Sequence, residues 1–239
     1  MDAIKLKKLF RVDNPGPHAL IDLKIPMWID EPPDWEKHFS GEAGLCITPI
    51  GRDNTCYWGA LDIDSKGEAP EVNHPALQAF IKEHRLPLNL FKSKSGRGAH
   101  AYLFSPKPVP AAEIIAILRM YSLILKPLLD QENGVEIFPK QDELLDDDNG
   151  SCIRPPYFGN KCQPIFEGEP QSVTVISIPP CLINLPDEGD RNNYIYHVTN
   201  FLMLSGIINV KPLVHIINSS LDDPLPQDEA EKTISSAQN

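Results

Sequence analysis

Residues 57–67, YWGALDIDSKG, place two carboxylates at the end of a run of aromatic and apolar residues. The run has the composition of a buried strand, and its acids, Asp62 and Asp64, are separated by a single residue. Side chains two positions apart on a strand point to the same face, about 6.6 Å apart, so the two carboxylates repel each other. Mg²⁺ is typically held by one or two protein carboxylates, with water and phosphate oxygens in the other positions. A divalent metal site at this strand end would remove the repulsion, and two acids that simply face solvent are the alternative.

A turn rich in serine, glycine and basic residues follows at positions 91–104, FKSKSGRGAHAYLF. Glycines at 96 and 98 allow the backbone to approach a ligand closely, and successive amides in such a turn can bind an anion. The turn also carries hydroxyl groups, two cations and an imidazole. These residues predict a phosphate site, with the candidates Lys94, Ser95, Arg97, Gly98 and His100.

A third acid, Glu136, is embedded in the apolar segment 134–139, GVEIFP. Val135 and Ile137 are expected on the opposite face of this strand, since side chains alternate. A carboxylate in such a strand requires a partner. If the strand joins the same sheet as Asp62 and Asp64, the three acids can hold two cations for phosphoryl transfer.

The periodicity of the chain predicts an α/β (α+β) fold in which strands and helices are mixed. Strands are predicted at 44–50, 55–64, 134–139 and 171–178, with a strand pair around the turn at 93–98. Helices are predicted at 74–85, at 111–129 and near Trp35. After residue 180 the pattern becomes entirely helical, so we divide the chain into a domain at 1–185 and a small helical module at 186–239.

The net charge of −11 argues against a uniformly basic nucleic-acid-binding body, although it permits a local basic groove. For such a groove Lys82, Lys92 and Arg97 are candidates. The five cysteines form no C-x-x-C pair, which predicts free and mostly buried thiols in a reducing compartment such as the cytoplasm. No stretch has the length and apolarity of a membrane span, and no membrane association is expected.

Together the three motifs resemble the archaeo-eukaryotic primase superfamily, and most of all the primase-polymerases of phages and mobile elements. The resemblance lies in the strand ending in D-x-D, the S-G-x-G-x-H turn, and the strand with an embedded acid before F-P-K-Q. It implies a catalytic fold in which an α/β unit packs on an RRM-like sheet. It also implies template-directed joining of nucleoside triphosphates on single-stranded DNA with Mg²⁺ or Mn²⁺.

The resemblance assigns roles to individual residues. Asp62, Asp64 and Glu136 match the metal ligands, while Ser95 and His100 match the triphosphate-binding motif. Arg154, in GSCIRPPYFG, is a candidate contact to the incoming nucleotide. The helical segment from 186 onwards resembles the primase C-terminal domain, through G-x-R-N-N and a later P-L-x-x-x-E motif. In relatives this domain commonly leads into a helicase, so a helicase domain or protein is an expected partner and the chain is expected to be the front part of a primase–helicase.

Alternatives remain for each motif and for the whole. The D-x-D could be a strand end facing solvent, the turn a flexible hairpin around a core histidine, and Glu136 a surface residue of a strand. D-x-D after an apolar strand also occurs in metal-dependent glycosyltransferases, but those do not explain the SGRGAH turn. A non-catalytic replication initiator could share the fold, although acids in all three motifs argue against it.

Overall fold

The protein is described by a computed structural model covering residues 3–11, 16–22, 27–65, 67–166, 169–187 and 189–238. Two antiparallel sheets, seven α-helices and two short 3-10 helices, Lys126–Leu128 and Pro180–Leu182, make up the regular structure of these residues. The strands are β1 His18–Ile21, β2 Met27–Ile29, β3 Gly44–Ile47, β4 Thr55–Ile63, β5 Asn89–Lys92, β6 Ala99–Pro110 and β7 Val135–Phe138. The helices are α1 Ala3–Leu9, α2 Trp35–Ser40, α3 His74–His84, α4 Ala111–Leu125, α5 Arg191–Leu204, α6 Val210–Ser219 and α7 Gln227–Ala237.

The main sheet has the order β5-β6-β4-β7, and every neighbouring pair of strands is antiparallel. From Trp58 onward the inner strand β4 pairs regularly with β6, so Trp58, Ala60 and Asp62 share one face. Leu61 and Ile63 lie on the other face and are completely buried. The mixed α/β fold class predicted from the sequence is confirmed, and the predicted strand 55–64 corresponds to β4.

The rear face of the main sheet packs against α3 and α4. Gly59 on β4 permits this close packing, since a Cβ there would lie 2.6 Å from Ile114 Cγ2 and 2.8 Å from Leu118 Cδ1. The C-terminal helices α5, α6 and α7 extend the same hydrophobic cluster, and α6 contacts α4 directly. The main sheet is therefore held from behind by helices from both halves of the chain.

The front face packs against a smaller sheet with the order β2-β1-β3. An aromatic cluster fills the space between the two sheets. At its centre Phe10 lies edge-on to Trp58, Tyr102 and Phe104, with ring centroids 4.7–5.6 Å apart. The smaller sheet and α1 arise from the first 47 residues, for which the sequence predicted only the helix near Trp35 and a strand at 44–50.

Local sequence signals explain the helix ends. The side chain of Asn73 accepts a hydrogen bond from Ala76 N at the start of α3, and Pro75 occupies the first turn as predicted. Helix α5 ends at Leu204, two residues before Gly206, which has a φ of +77°. The predicted C-terminal helices are confirmed as α5, α6 and α7. Among the described residues no helix is long and apolar enough to cross a membrane.

The predicted strand at 171–178 is wrong. This segment follows the edge of β6 beyond the end of β5, but only Val173 N is bonded to that strand, at 2.9 Å from Phe104 O. Gln171 is held instead by the side chain of Asn89, which bonds both its N–H and its carbonyl. One backbone bond is too few to form a ladder.

The prediction that all cysteines are free is also wrong, because Cys46 and Cys152 form a disulfide. An isolated bridge between Ile47 and Ile153 brings the two cysteines to a Cα–Cα distance of 5.3 Å, within the range that a disulfide requires. Cys56, Cys162 and Cys181 are free, and the first two are buried. The disulfide attaches the segment before Arg154 to β3.

Candidate active site

The three predicted motifs meet in one row across the main sheet. Asp62 on β4 is the register partner of His100 on β6 and of Glu136 on β7. Partners in an antiparallel pair project to the same face, so these three side chains all point to the front of the sheet. Val135 and Ile137 pack into the rear cluster, as the alternation predicted. The register thus places Asp62 between an imidazole and a second carboxylate.

Asp62 carries an oxygen that no protein group satisfies. Its Oδ1 is buried and has no hydrogen-bond partner. His100 Nε2 lies 3.3 Å away, but the geometry does not make a hydrogen bond. A buried carboxylate oxygen without a partner is costly, so this position is suited to a cation.

Asp64 follows Asp62 immediately beyond β4. Its N–H donates to Gly134 O at 2.8 Å, which anchors the strand end to the chain that enters β7. Both aspartates line an open cavity of about 520 Å³ on the front of the sheet. His100 lines the same cavity.

The serine–glycine turn is shaped by bonds within itself. Gly96 N donates to Ser93 O, Gly98 N donates to Ser93 Oγ, and Arg97 N lies 3.3 Å from Ser95 Oγ. These three amides are thus used inside the turn, although the sequence predicted an anion-binding role for the turn's amides. Its contribution to the cavity is made by Ser93, Lys94 and Ser95.

Gly98 and Arg97 do not line the cavity. Gly98 lies against β4, where a Cβ would meet Ile63 O, so glycine is needed here for packing. The guanidinium of Arg97 donates to Gly67 O at 3.2 Å and to Ala69 O at 2.6 Å. Arg97 therefore fixes the loop after Asp64, in contrast to the phosphate contact expected from the sequence.

Glu136 lies in the row but is bound by a neighbour. Its Oε2 is 2.6 Å from Lys140 Nζ, and the side chain is 43% exposed. Lys140 was not singled out in the sequence, although its spacing of four residues from Glu136 is visible there. In this arrangement Glu136 is engaged by an ammonium group.

Arg154 and Lys94 also line the cavity, and both bind Asp22. Arg154 makes a bidentate pair, with Nη1 at 3.1 Å from Asp22 Oδ2 and Nη2 at 2.9 Å from Oδ1. The ring of Phe158 lies beneath the guanidinium, 4.6 Å from its Cζ. The buried Tyr102 donates its hydroxyl to Arg154 O at 2.6 Å, which holds the backbone at this position.

The charge of Asp22 is stabilised by these cations. Desolvation raises its pKa, but the hydrogen bonds and charges of Lys94 and Arg154 together outweigh that effect, so the pKa lies below its ordinary value. Asp22 directly follows β1, in a part of the chain where the sequence matched no motif. No pattern in the sequence connects it with Lys94 and Arg154, because the contact depends on how the two sheets pack.

The residues present suit a divalent cation at Asp62 and Asp64. The argument for this fit is the unsatisfied Oδ1 of Asp62 next to a second carboxylate. Across the described part of the chain, no three His, Cys, Asp or Glu side chains are grouped closely enough to hold a metal ion by themselves. Two carboxylates with phosphate and water oxygens as the other ligands correspond to the usual coordination of Mg²⁺.

Comparison with known families finds one match. Residues 31–164, more than half of the 239-residue chain, match the domain described as the archaeo-eukaryotic primase domain of TOTE conflict systems. The matched region runs from the end of β2 to the segment after Phe158, and it contains every candidate site residue named from the sequence. No curated protein matches the chain.

Proposed function

Because the chain belongs to the archaeo-eukaryotic primase family, in the form found in TOTE conflict systems, we propose that it is a DNA primase-polymerase. The family is one of primase-type nucleotidyltransferases. The proposed reaction joins nucleoside triphosphates on a single-stranded DNA template with Mg²⁺ or Mn²⁺. The observation that supports it most is the cavity that is lined by two carboxylates and by two basic side chains.

The acidic residues that line the cavity are suited to hold the metal. Asp62 and Asp64 project into it, and Oδ1 of Asp62 has no other partner. When bound there, a divalent cation supplies neutralisation of the triphosphate and activation of the attacking 3′-hydroxyl. We propose Glu136 as a further ligand, and because it pairs with Lys140 and is not among the residues that line the cavity, this role requires its side chain to move.

The basic and hydroxyl-bearing residues that line the cavity are suited to hold phosphates. Lys94 and Arg154 contribute charge there, and Ser93 and Ser95 contribute hydroxyl groups. Positioned cations of this kind offset the negative charge that develops on transferring phosphoryl groups. His100 also lines the cavity, with Nε2 at 3.3 Å from Asp62 Oδ1, and its imidazole can reach a phosphate oxygen bound there.

A direct test is nucleotide incorporation. Purified protein is incubated with primed and with unprimed single-stranded DNA, labelled ribo- or deoxynucleotides, and Mg²⁺ or Mn²⁺. We expect extension of the primer by the wild type and loss of at least 100-fold with Asp64→Asn, in the range that removal of a charged catalytic group typically costs. The exposed acid Asp146 provides a matched control, since Asp146→Asn removes the same charge away from the cavity.

A second candidate function is a non-catalytic protein that binds nucleotides or DNA on the same fold. It is favoured by one observation, the engagement of Glu136 by Lys140. The incorporation assay distinguishes this candidate from a primase-polymerase. A non-catalytic protein incorporates no nucleotide, whether ribo- or deoxynucleotides are supplied and whether Mg²⁺ or Mn²⁺ is present. The glycosyltransferase alternative has no support beyond the D-x-D motif itself.

The C-terminal helices and the partners extend the proposal. We propose that residues 186–239 act as a primase C-terminal module and that a helicase domain or protein is a partner, on the basis of the sequence resemblance. The module is not separate from the hydrophobic core, because α6 packs on α4 and the buried residues of α5, α6 and α7 belong to the same cluster as those of α4. An effect of the module on the candidate active site would therefore be transmitted through α4, which packs against both α6 and β4.

A further inference from the structure

The two cations of the cavity already bind an anion of the protein itself. Lys94 and Arg154 both contact the carboxylate of Asp22, and Asp22 is not among the residues that line the cavity. Both terminal nitrogens of Arg154 are used in this bidentate pair. A carboxylate and a phosphate present the same kind of oxygen pair to a guanidinium.

The chain is built to accommodate this contact. Gly44 lies beside it, and a Cβ at that position would overlap both Arg154 Nη1 and Asp22 Oδ2. Asp22 itself has a φ of +75°, a left-handed conformation that Asp and Asn tolerate better than most residues. Arg154 is 10% exposed, so its charge would be poorly solvated without a bound anion.

We propose that Asp22 is a resident competitor that nucleotide phosphates must displace from Lys94 and Arg154. The inference rests on the proposed function, because it assumes that these cations bind phosphate. It assigns Asp22 a role in setting nucleotide affinity, which nothing in the three motifs indicates. A triphosphate that enters the cavity binds the two terminal nitrogens of Arg154 in place of Asp22. The carboxylate of Asp22 then moves into solvent, to which this side chain is already 30% exposed.

Charge balance gives the direction of the effect. Lys94, Arg154 and Asp22 together carry one net positive charge, and removal of the carboxylate leaves two. One additional unit charge at about 6 Å from a phosphate, with an effective dielectric constant of about 40, corresponds to roughly a tenfold gain in affinity. If Asp22 acted only to position the cations, its removal would lower the affinity.

The test measures binding of inorganic tripolyphosphate by calorimetry at fixed salt, with chelator present to exclude metal ions. Asp22→Asn removes the charge, keeps the shape and suits the left-handed backbone. Asp223→Asn is the control, because Asp223 also pairs with an arginine, Arg191, but lies among the C-terminal helices. We expect about tenfold tighter binding by Asp22→Asn, and the affinity of Asp223→Asn should equal that of the wild type.

The possible results separate this inference from the proposed function. Wild-type binding with equal or weaker binding by Asp22→Asn overturns the role of Asp22 and leaves the phosphate site intact. Failure of both proteins to bind tripolyphosphate overturns the assignment of Lys94 and Arg154 to phosphate and with it the role of Asp22, whereas the proposed function is overturned only by the incorporation assay. Asp22→Gly, which also suits a φ of +75°, repeats the measurement if the asparagine variant does not fold.

Discussion

Replacement of Asp62 by asparagine tests whether the acids form a metal site, without reference to activity. On a strand the two carboxylates are about 6.6 Å apart, which at an effective dielectric constant of about 20 corresponds to about 2.5 kcal/mol of repulsion. The side chain of Asp62 is 20% exposed, so solvent screens part of this repulsion. A buried amide without a partner also costs less than a buried carboxylate without one. We therefore expect Asp62→Asn to stabilise the metal-free protein by about 1 kcal/mol, which raises Tm by about 2–4 °C in a chain of this size.

The assay is thermal unfolding, first in chelator and then at increasing Mg²⁺ concentrations. At tenfold excess over Kd, a ligand that binds only the folded state contributes about 1.4 kcal/mol, so the wild-type Tm should rise with Mg²⁺. The Tm of Asp62→Asn should start higher and remain constant. Asp146→Asn, at an exposed position, should behave as the wild type does. A lower Tm for Asp62→Asn in chelator, or a normal response of that variant to Mg²⁺, would refute the reasoning.

Three further predictions concern His100, the disulfide and the buried His38. His100→Ala should reduce affinity for a non-hydrolysable triphosphate more than affinity for metal, because His100 is assigned to the phosphates. If calorimetry shows an unchanged triphosphate affinity, His100 has a purely structural role. The disulfide between Cys46 and Cys152 closes a loop of 106 residues, so reduction should lower the free energy of unfolding by about 2–5 kcal/mol in urea titrations. Thiol titration of the unfolded, unreduced protein should find three reactive cysteines, and a count of five would contradict the disulfide. His38 is fully buried, and burial lowers its pKa to about 4. The hydrogen bond to the backbone of Pro156 raises this pKa, but burial has the larger effect. Its contribution to stability is therefore complete above pH 6.5 and is lost as the pH falls towards 4, by roughly 3 kcal/mol in total. An NMR titration of the His38 imidazole with a midpoint near 6.5 would exclude this.

The acids of the candidate site can be singled out from the sequence because their signal is local. An apolar run that ends in Asp62 and Asp64 is visible without any knowledge of tertiary structure, and so is the acid in β7. That these strands are neighbours could be expected from the chain lengths between them. The register of these strands could not be predicted from the sequence. The pairing of Asp62 with both His100 and Glu136 depends on how each strand is positioned along β4.

Contacts between distant segments account for most of what the sequence did not predict. Asp22 lies 72 residues from Lys94 and 132 from Arg154, and no periodicity relates such positions. The same holds for the disulfide, since two cysteines 106 residues apart can pair only after β3 meets the 152–154 segment. The apolar alternation at 171–178 is genuine, but a strand also requires a partner with free backbone groups along its length, and this segment meets β6 through Val173 alone.

The row across the main sheet restricts where the chain can gain or lose residues. β4 contains a register irregularity between Cys56 and Trp58, and from Trp58 onward it pairs without interruption with β6. One residue inserted between Trp58 and Asp62 would turn both aspartates to the rear, into the helices that cover Leu61 and Ile63. An insertion in the turn at 51–54 lies before the irregularity and leaves the row in place. Among related chains, length variation near this strand should therefore be confined to the turn, while the interval from Trp58 to Asp64 stays constant.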